Sequence, residues 1–244
     1  MKTLIKNVLA GLEYRVQSTR YVPRQLLDPN CLRPIELADA IYRRMFEYGQ
    51  ALTFVQIGAF DGISTDPLQQ YISKYGWRGV MLEPQPRPAS QLRELYRGND
   101  RIVVLQAAVD RERGKRVLYT VESECAPVWA GGMASFQREH IVKHAYLIPG
   151  LEEMIREITV DCIPFDDIIE HLPSERVDLM QIDAEGADAY ILSLFPFDRI
   201  KPAIVHWEIK NLSKAQREDC LEKLSGFGYR FAPSGNEDMM AILG

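Results

Sequence analysis

Cysteine is scarce in this chain of 244 residues, and the four present, Cys31, Cys125, Cys162 and Cys220, lie far apart with no CxxC pair. That spacing excludes a zinc knuckle and a dense disulfide framework, and it points to a reducing, cytoplasmic compartment. Long apolar runs are also missing. No stretch approaches the roughly 20 residues of a spanning helix, and the opening MKTLIKNVLAGLEYRV is broken at Lys6, Asn7 and Glu13 before a signal-type stretch develops. No integral membrane segment is expected. Basic charge is in deficit as well: 29 Lys and Arg against 34 Asp and Glu leave a net charge of -5, which gives a polyphosphate backbone no general attraction. Nucleic acid is therefore not an expected partner. What remains, 46% hydrophobic and 26% charged residues, is the composition of a soluble globular protein.

Residues 1–50 read as an N-terminal helical extension, with a proline-interrupted joint at YVPRQLLDPNCLRP and a second amphipathic run from Ile35 to Tyr48. Leu4, Ile5, Val8, Leu9, Leu12 and Val16 share one helical face, which suits core packing, a homodimer contact or a membrane surface. From Thr53 onward, short apolar strands alternate with helical stretches: TFVQI, PLQQYISKY, GVMLE, PASQLRELYR, RIVVLQAAV. That alternation predicts a parallel sheet with helices on both faces, so residues 51–244 form one domain. The rhythm breaks after Val109. RVLYTVE reads as an extra strand, and an irregular Gly-, Pro- and aromatic-rich segment follows, a flap insert of about 123–158. At the end, YRFAP and DMMAIL flank the turn SGNE, so the sheet acquires an antiparallel hairpin edge.

The first strand runs into the turn GAFDG at Gly58 to Gly62. In open parallel sheets ligands lie beyond the C-terminal strand ends, and glycines there let backbone come close. The spacing G-x-x-x-G is not the G-x-G-x-x-G that seats a pyrophosphate, and no P-loop Lys follows, which disfavours NAD and ATP. Glu83 ends the strand GVMLE and precedes Pro84, a position from which a carboxylate can grip a ribose diol. A nucleoside cofactor without a diphosphate fits these features, and S-adenosyl-L-methionine is one.

Taken in order, FVQIGAFDGIST, GVMLEPQP, VLQAAVD, the MASF of the insert, VDCIPFDDII and VDLMQIDAEGADAYIL resemble the FkbM family of S-adenosylmethionine-dependent methyltransferases, over residues 53 to about 243. The IDAEG block is the most diagnostic part. Gln56 stands where the family commonly has Asp, and Phe60 where it has Asn. The resemblance implies a class I methyltransferase (Rossmann-like) α/β fold: a seven-stranded sheet whose C-terminal hairpin is antiparallel, here preceded by N-terminal helices. It also implies methyl transfer to the hydroxyl of a sugar, glycan or secondary metabolite. By position, Gly58 and Phe60 would line the methionine end, Glu83 would hold the ribose, and Ala108 and Val109 would flank the adenine, with Asp61 and Pro84 as further cofactor contacts.

Methyl transfer to an alcohol needs the acceptor aligned and its proton removed, so a carboxylate or imidazole must stand near the methyl. Asp183 follows the strand VDLMQI and is the first candidate for the reactive centre, as base, orienting group or cofactor contact; a plain helix cap is the alternative. Glu208 and His206 alternate to one face of the next strand and stand behind it as further catalytic candidates, with a core histidine the other reading of His206. Glu185, Ser135 and His140 are candidate acceptor contacts, with Trp129 and Met133 behind them. His140 and His144, four apart, would share a helix face, read as solvated. The carboxylate grouping invites a metal, but the resemblance requires none and no metal is assigned. An inactive methyltransferase-like scaffold and a nucleotide-dependent oxidoreductase are the competing readings.

Overall fold

A computed structural model describes residues 34–64, 66–122 and 127–244. The apolar face of residues 4–16, with its dimer or membrane role, lies outside the described residues, as do Cys31 and Cys125. Helix α1 (Leu37–Tyr48) occupies the second amphipathic run. There follow β1 (Thr53–Ile57), α2 (Gln69–Tyr75), β2 (Arg78–Leu82), α3 (Pro86–Leu95), β3 (Ile102–Leu105), β4 (Ala108–Val109) and β5 (Gly114–Val121). After a 3-10 turn at Val128–Gly132 come α4 (Arg138–Val142), α5 (Leu151–Met154), β6 (Ile155–Ile163) and α6 (Phe165–Ile169). The chain closes with β7 (Leu179–Ile182), α7 (Asp188–Leu194), β8 (Ile204–Glu208), α8 (Lys214–Gly226), β9 (Tyr229–Ser234) and β10 (Asp238–Leu243).

Seven strands make the main sheet, in the order β3-β2-β1-β7-β8-β10-β9. All neighbours are parallel except β10, which runs antiparallel to both β8 and β9, as the SGNE turn predicts. Alternate residues of each strand feed two cores. Val55, Ile57, Val80, Leu82, Met180, Ile182, Val205 and Trp207 pack on one face. Phe54, Met81, Leu179, Ile204 and Met240 pack on the other, against α1 and α2. Strands covered on both faces are normally apolar throughout. The exceptions here are Gln56, Gln181 and His206, which are buried and stand in register across β1, β7 and β8.

Two features differ from the sequence reading. RIVVLQAAV is not one strand: it breaks at Gln106–Ala107, and β4 leaves the main sheet to pair with β6 in a second sheet, β4-β6-β5. Residues 155–162 pair with β5 over its whole length, so the last residues of the expected insert, 155–158, lie in a strand. Ile158, Val160 and Cys162 alternate inward from β6 and pack with Ala108 and Leu118, a period-two pattern sufficient to bury one face of a small sheet.

The sheet reverses direction between β1 and β7, with β2 and β3 wound to one side and β8 to the other. The loops after β1, β2, β7 and β8 therefore open at one edge, the place where open α/β sheets bind ligands. Their anchors are local. Asp178, at the opposite end of β7, accepts from Thr53 N–H at 3.0 Å and from the Arg44 guanidinium of α1 at 2.7 and 3.0 Å, which pins α1 to the sheet. At the ligand edge, Ile209 N–H donates to Glu237 O at 2.7 Å, and the Ser213–Gln216 capping box starts α8 directly after Asn211.

Candidate active site

The turn after β1 is built around Gly58. Its φ is 79°, and a Cβ there would stand 1.8 Å from the carbonyl oxygen of Asp183. Glycine at this place thus makes room for the end of β7, where the sequence suggests room for a ligand. Gly58 and Ala59 N–H both donate to Leu82 O at 3.0 Å, tying the turn to β2. Phe60, itself in the left-handed region at φ 48°, donates its N–H to Glu83 Oε2 at 3.0 Å, while Gln85 N–H donates to Glu83 Oε1 at 2.8 Å. One buried carboxylate therefore staples two loops. Two of its roughly four acceptor positions are used, which leaves capacity for two hydroxyls.

These loops wall a cavity of about 480 Å³, within the range of small-molecule sites. One end is lined by Gly58, Ala59, Phe60, Glu83 and Pro84, and by an apolar slot of Leu82, Ala108, Val109, Leu118, Met133 and Phe136. A hydrogen-bonding carboxylate beside an apolar slot suits the ribose and base of a nucleoside. The insert roofs this end: Gln85 Nε2 donates to Gly131 O at 3.3 Å, and Gly131 sits against the Phe60 ring.

The other end carries Gln181, Asp183, Glu185, Glu208, Lys210, Asn211 and His144. Asp183 N–H donates to Ile57 O at 2.9 Å, and its carboxylate opens into the cavity with no hydrogen bond from the described residues. Glu185 is held at φ 46° because its carbonyl accepts from Ser135 Oγ at 2.9 Å and from His140 Nδ1 at 3.0 Å. Gly186 follows at φ 96°, and a Cβ there would strike the His140 ring at 2.2 Å. The IDAEG block is thus a strand end clamped from above by the insert. Asn211 Nδ2 donates to Glu185 Oε2 at 3.0 Å and to Glu208 Oε2 at 2.6 Å.

Most expected site residues meet at this cavity: Gly58, Phe60, Glu83, Pro84, Ala108, Val109, Ser135, Asp183, Glu185 and Glu208. Three do not line it. Asp61 turns its carboxylate back to Ile63 N–H, Ser64 N–H and Ser64 Oγ, so it builds the turn. His206 is on the same face as Glu208 but two residues deeper, roughly 6.6 Å at strand rise, where it lies between Gln181 and Met240. Neither of its nitrogens has a partner among the described residues, and burial pulls its pKa down to about 4, so it is a neutral imidazole under the cavity floor. His140 stands behind the Glu185 carbonyl. His144 corrects the shared-face reading: α4 ends at Val142, and His144 falls in the turn beyond it and lines the cavity. Asn211, Lys210 and Gln181 were missed, since a lone amide or lysine in sequence carries no signal. Among the described residues, no three His, Cys, Asp or Glu side chains converge in a way that holds a metal ion.

Burial is the main cause of raised carboxyl pKa values here. It lifts Glu83 and Glu185 to about 7 and Glu208 to about 8, and in the last two the neighbouring carboxylates add to it. A carboxyl whose pKa is higher folded than unfolded binds more protons in the folded state. Its contribution is complete below the unfolded value of 4.5 and is lost as pH rises through 7 to 8. The ligand-free protein is therefore expected to melt several degrees lower at mildly alkaline than at mildly acidic pH, read by calorimetry, and Glu208→Gln should flatten that slope. A melting temperature that climbs with pH across this window would contradict the assignment.

A sheet of this order, with its one reversed strand and a nucleoside-shaped cavity at the switch point, is that of a class I methyltransferase. The family follows from the sequence: the profile of the methyltransferase FkbM domain matches residues 56–231, and the chain belongs to that family. S-adenosylmethionine is the cofactor. No curated protein matches the chain in sequence. Among solved structures it is similar to methyltransferase FkbM from Methylobacillus flagellatus KT, with 16% identity and a TM-score of 0.49 over 79% of this chain and 44% of that one. This chain thus spans less than half the length of that protein. It is also similar to the O-methyltransferase from Bacillus cereus in complex with SAH (13% identity, TM-score 0.37, 98% and 97% covered). Aeropyrum pernix fibrillarin, solved with natively bound S-adenosyl-L-methionine, is a third (12%, 0.40, 84% and 73%). Among the described residues no helix is long and apolar enough to cross a membrane.

Proposed function

We propose that the protein is an O-methyltransferase that acts on the hydroxyl of a sugar, glycan or secondary metabolite. The observation that carries this reading is the Asp183 carboxylate, open to the cavity between a nucleoside-shaped end and the Glu185–Glu208 end. Bound S-adenosylmethionine supplies an electrophilic methyl carbon. The chain's own part is to hold and to deprotonate. Glu83 and Pro84 would hold the ribose, Ala108 and Val109 the base, and the backbone at Gly58 and Phe60 the amino-acid end. Asp183 would orient the hydroxyl and Asp183 or Glu208 would take its proton, a role suited to carboxyl groups whose proton affinity is raised by burial. Ser135 and His140 serve by fixing the Glu185 loop, and the insert excludes water. The widely spaced cysteines support a cytoplasmic setting for this reaction, and the charge balance speaks against a nucleic-acid acceptor.

The test combines calorimetry with S-adenosylhomocysteine and a turnover screen over hydroxyl acceptors that follows release of the same product. Binding in the micromolar range with turnover on at least one sugar or polyol is the expected result. Binding with no turnover on any hydroxyl, or turnover on amines alone, would sink the O-methyl reading.

A further inference from the structure

The acceptor end of the cavity is short of hydrogen-bond donors. Asn211 draws two carboxyl groups together by donating to Oε2 of both Glu185 and Glu208. The Lys143 ammonium donates to Asn211 Oδ1 and so fixes the amide with its NH₂ toward the carboxylates. Among the described residues, no protein donor reaches the second oxygen of either glutamate. Lys210 is the one lysine or arginine among the described lining residues, and its ammonium is already held by Glu237 Oε2 at 2.9 Å.

An independent observation points the same way. Gln181 is 5% exposed and Gln56 2%, both line the floor of the cavity, and the Oε1 of each has no partner among the described residues. Buried acceptors of this kind are costly unless a ligand or water donates to them. An anion at this end would be repelled by whichever of Asp183, Glu185 and Glu208 is ionised, whereas a cation would stabilise the ionised form of each. Lys143 and Lys210 lower the proton affinity of this pair, but their ammonium groups are committed to Asn211 and Glu237, so a neutral hydroxyl alone leaves the second oxygen of each glutamate without a positively charged partner in contact. A protonated amine offers three N–H donors and a positive charge, and it fits between two carboxylates held on one amide.

We propose that the acceptor carries, beside the hydroxyl that is methylated, a protonated amine seated between Glu185 and Glu208; its class is an amino-bearing polyol of the amino-sugar kind. This rests on the O-methyl reading and adds the acceptor's charge to it. The cofactor's own amino-acid end also carries an ammonium, so the experiment separates the two sources.

The full chain is saturated with S-adenosylhomocysteine and titrated by calorimetry with glucosamine, N-acetylglucosamine and a hexose phosphate, at a pH where the amine is protonated. Glucosamine should bind at least ~10-fold more tightly than its N-acetyl form, and the phosphate most weakly. Glu208→Gln should bring the first two within ~3-fold of each other, since one of the paired charges is gone. Equal binding of the two, a preference for the phosphate, or no glucosamine binding at all overturns the proposal. So does glucosamine that binds the free protein but is displaced by S-adenosylhomocysteine, because the ammonium place would then be the cofactor's. Should Glu208→Gln fail to fold, the amine and N-acetyl pair on the unaltered protein decides alone. Failure to bind S-adenosylhomocysteine strikes the O-methyl reading first, and this proposal, which rests on it, falls with it.

Discussion

Gly58→Ala is expected to lower affinity for S-adenosylhomocysteine by more than ~100-fold and to cost the fold several kcal/mol. Two effects add. The residue sits at φ 79°, where an L side chain costs about 1–2 kcal/mol. The added methyl would also stand 1.8 Å from the Asp183 carbonyl oxygen, which is backbone and cannot swing aside as a side chain can. Either β1 or β7 must move at its end. The Gly58 and Ala59 donors to Leu82 O move with β1, and with them the Phe60 N–H that Glu83 accepts. Calorimetry for binding and a thermal melt for stability check this. An alanine variant that binds within threefold and melts unchanged would mean that the close approach of the two strand ends does not shape the site.

Asp183→Asn should act on rate and leave binding nearly intact. The amide has the shape of the carboxylate but cannot accept a proton at neutral pH, and loss of a general base typically slows turnover by about 10²–10⁴-fold. Since the backbone N–H of Asp183 is what ties it to Ile57 O, the strand end should keep its place. With an acceptor returned by the turnover screen, kcat should fall in that range while S-adenosylhomocysteine still binds within about fivefold. Full turnover in the asparagine variant would move the base to Glu208, and a matched loss of binding would make Asp183 a cofactor contact only.

Much of this site could be read along the chain because its residues sit at strand ends. Apolar runs that stop at Gly58, Glu83 and Asp183 place those residues at one edge of a parallel sheet, whatever the packing details. Period-two alternation correctly put His206 and Glu208 on one face. It says nothing of depth, so His206 proved to lie beneath the floor. Asp61 misled for a different reason: a short acid in a turn finds backbone donors within three residues, and that local bond takes its carboxylate out of the cavity.

His144, Lys210 and Asn211 show the opposite case. Each is in a turn or loop with no periodicity to read, and each joins the cavity only because distant elements converge on it. Asn211 matters through Glu185, 26 residues before it, and through Lys143 of the insert, 68 residues before it.

By itself, then, the sequence determined the α/β class, the reversed C-terminal hairpin and the strand-end acids, because hydrophobic periodicity and turn chemistry act between near neighbours; the family came from the likeness of its motifs. The tertiary structure alone decided how deep each side chain lies, that Gly58 yields space to the Asp183 carbonyl, and that one amide joins two glutamates. Those are distances between segments remote in the chain, and they come into being only when the sheet closes and the insert packs down on it.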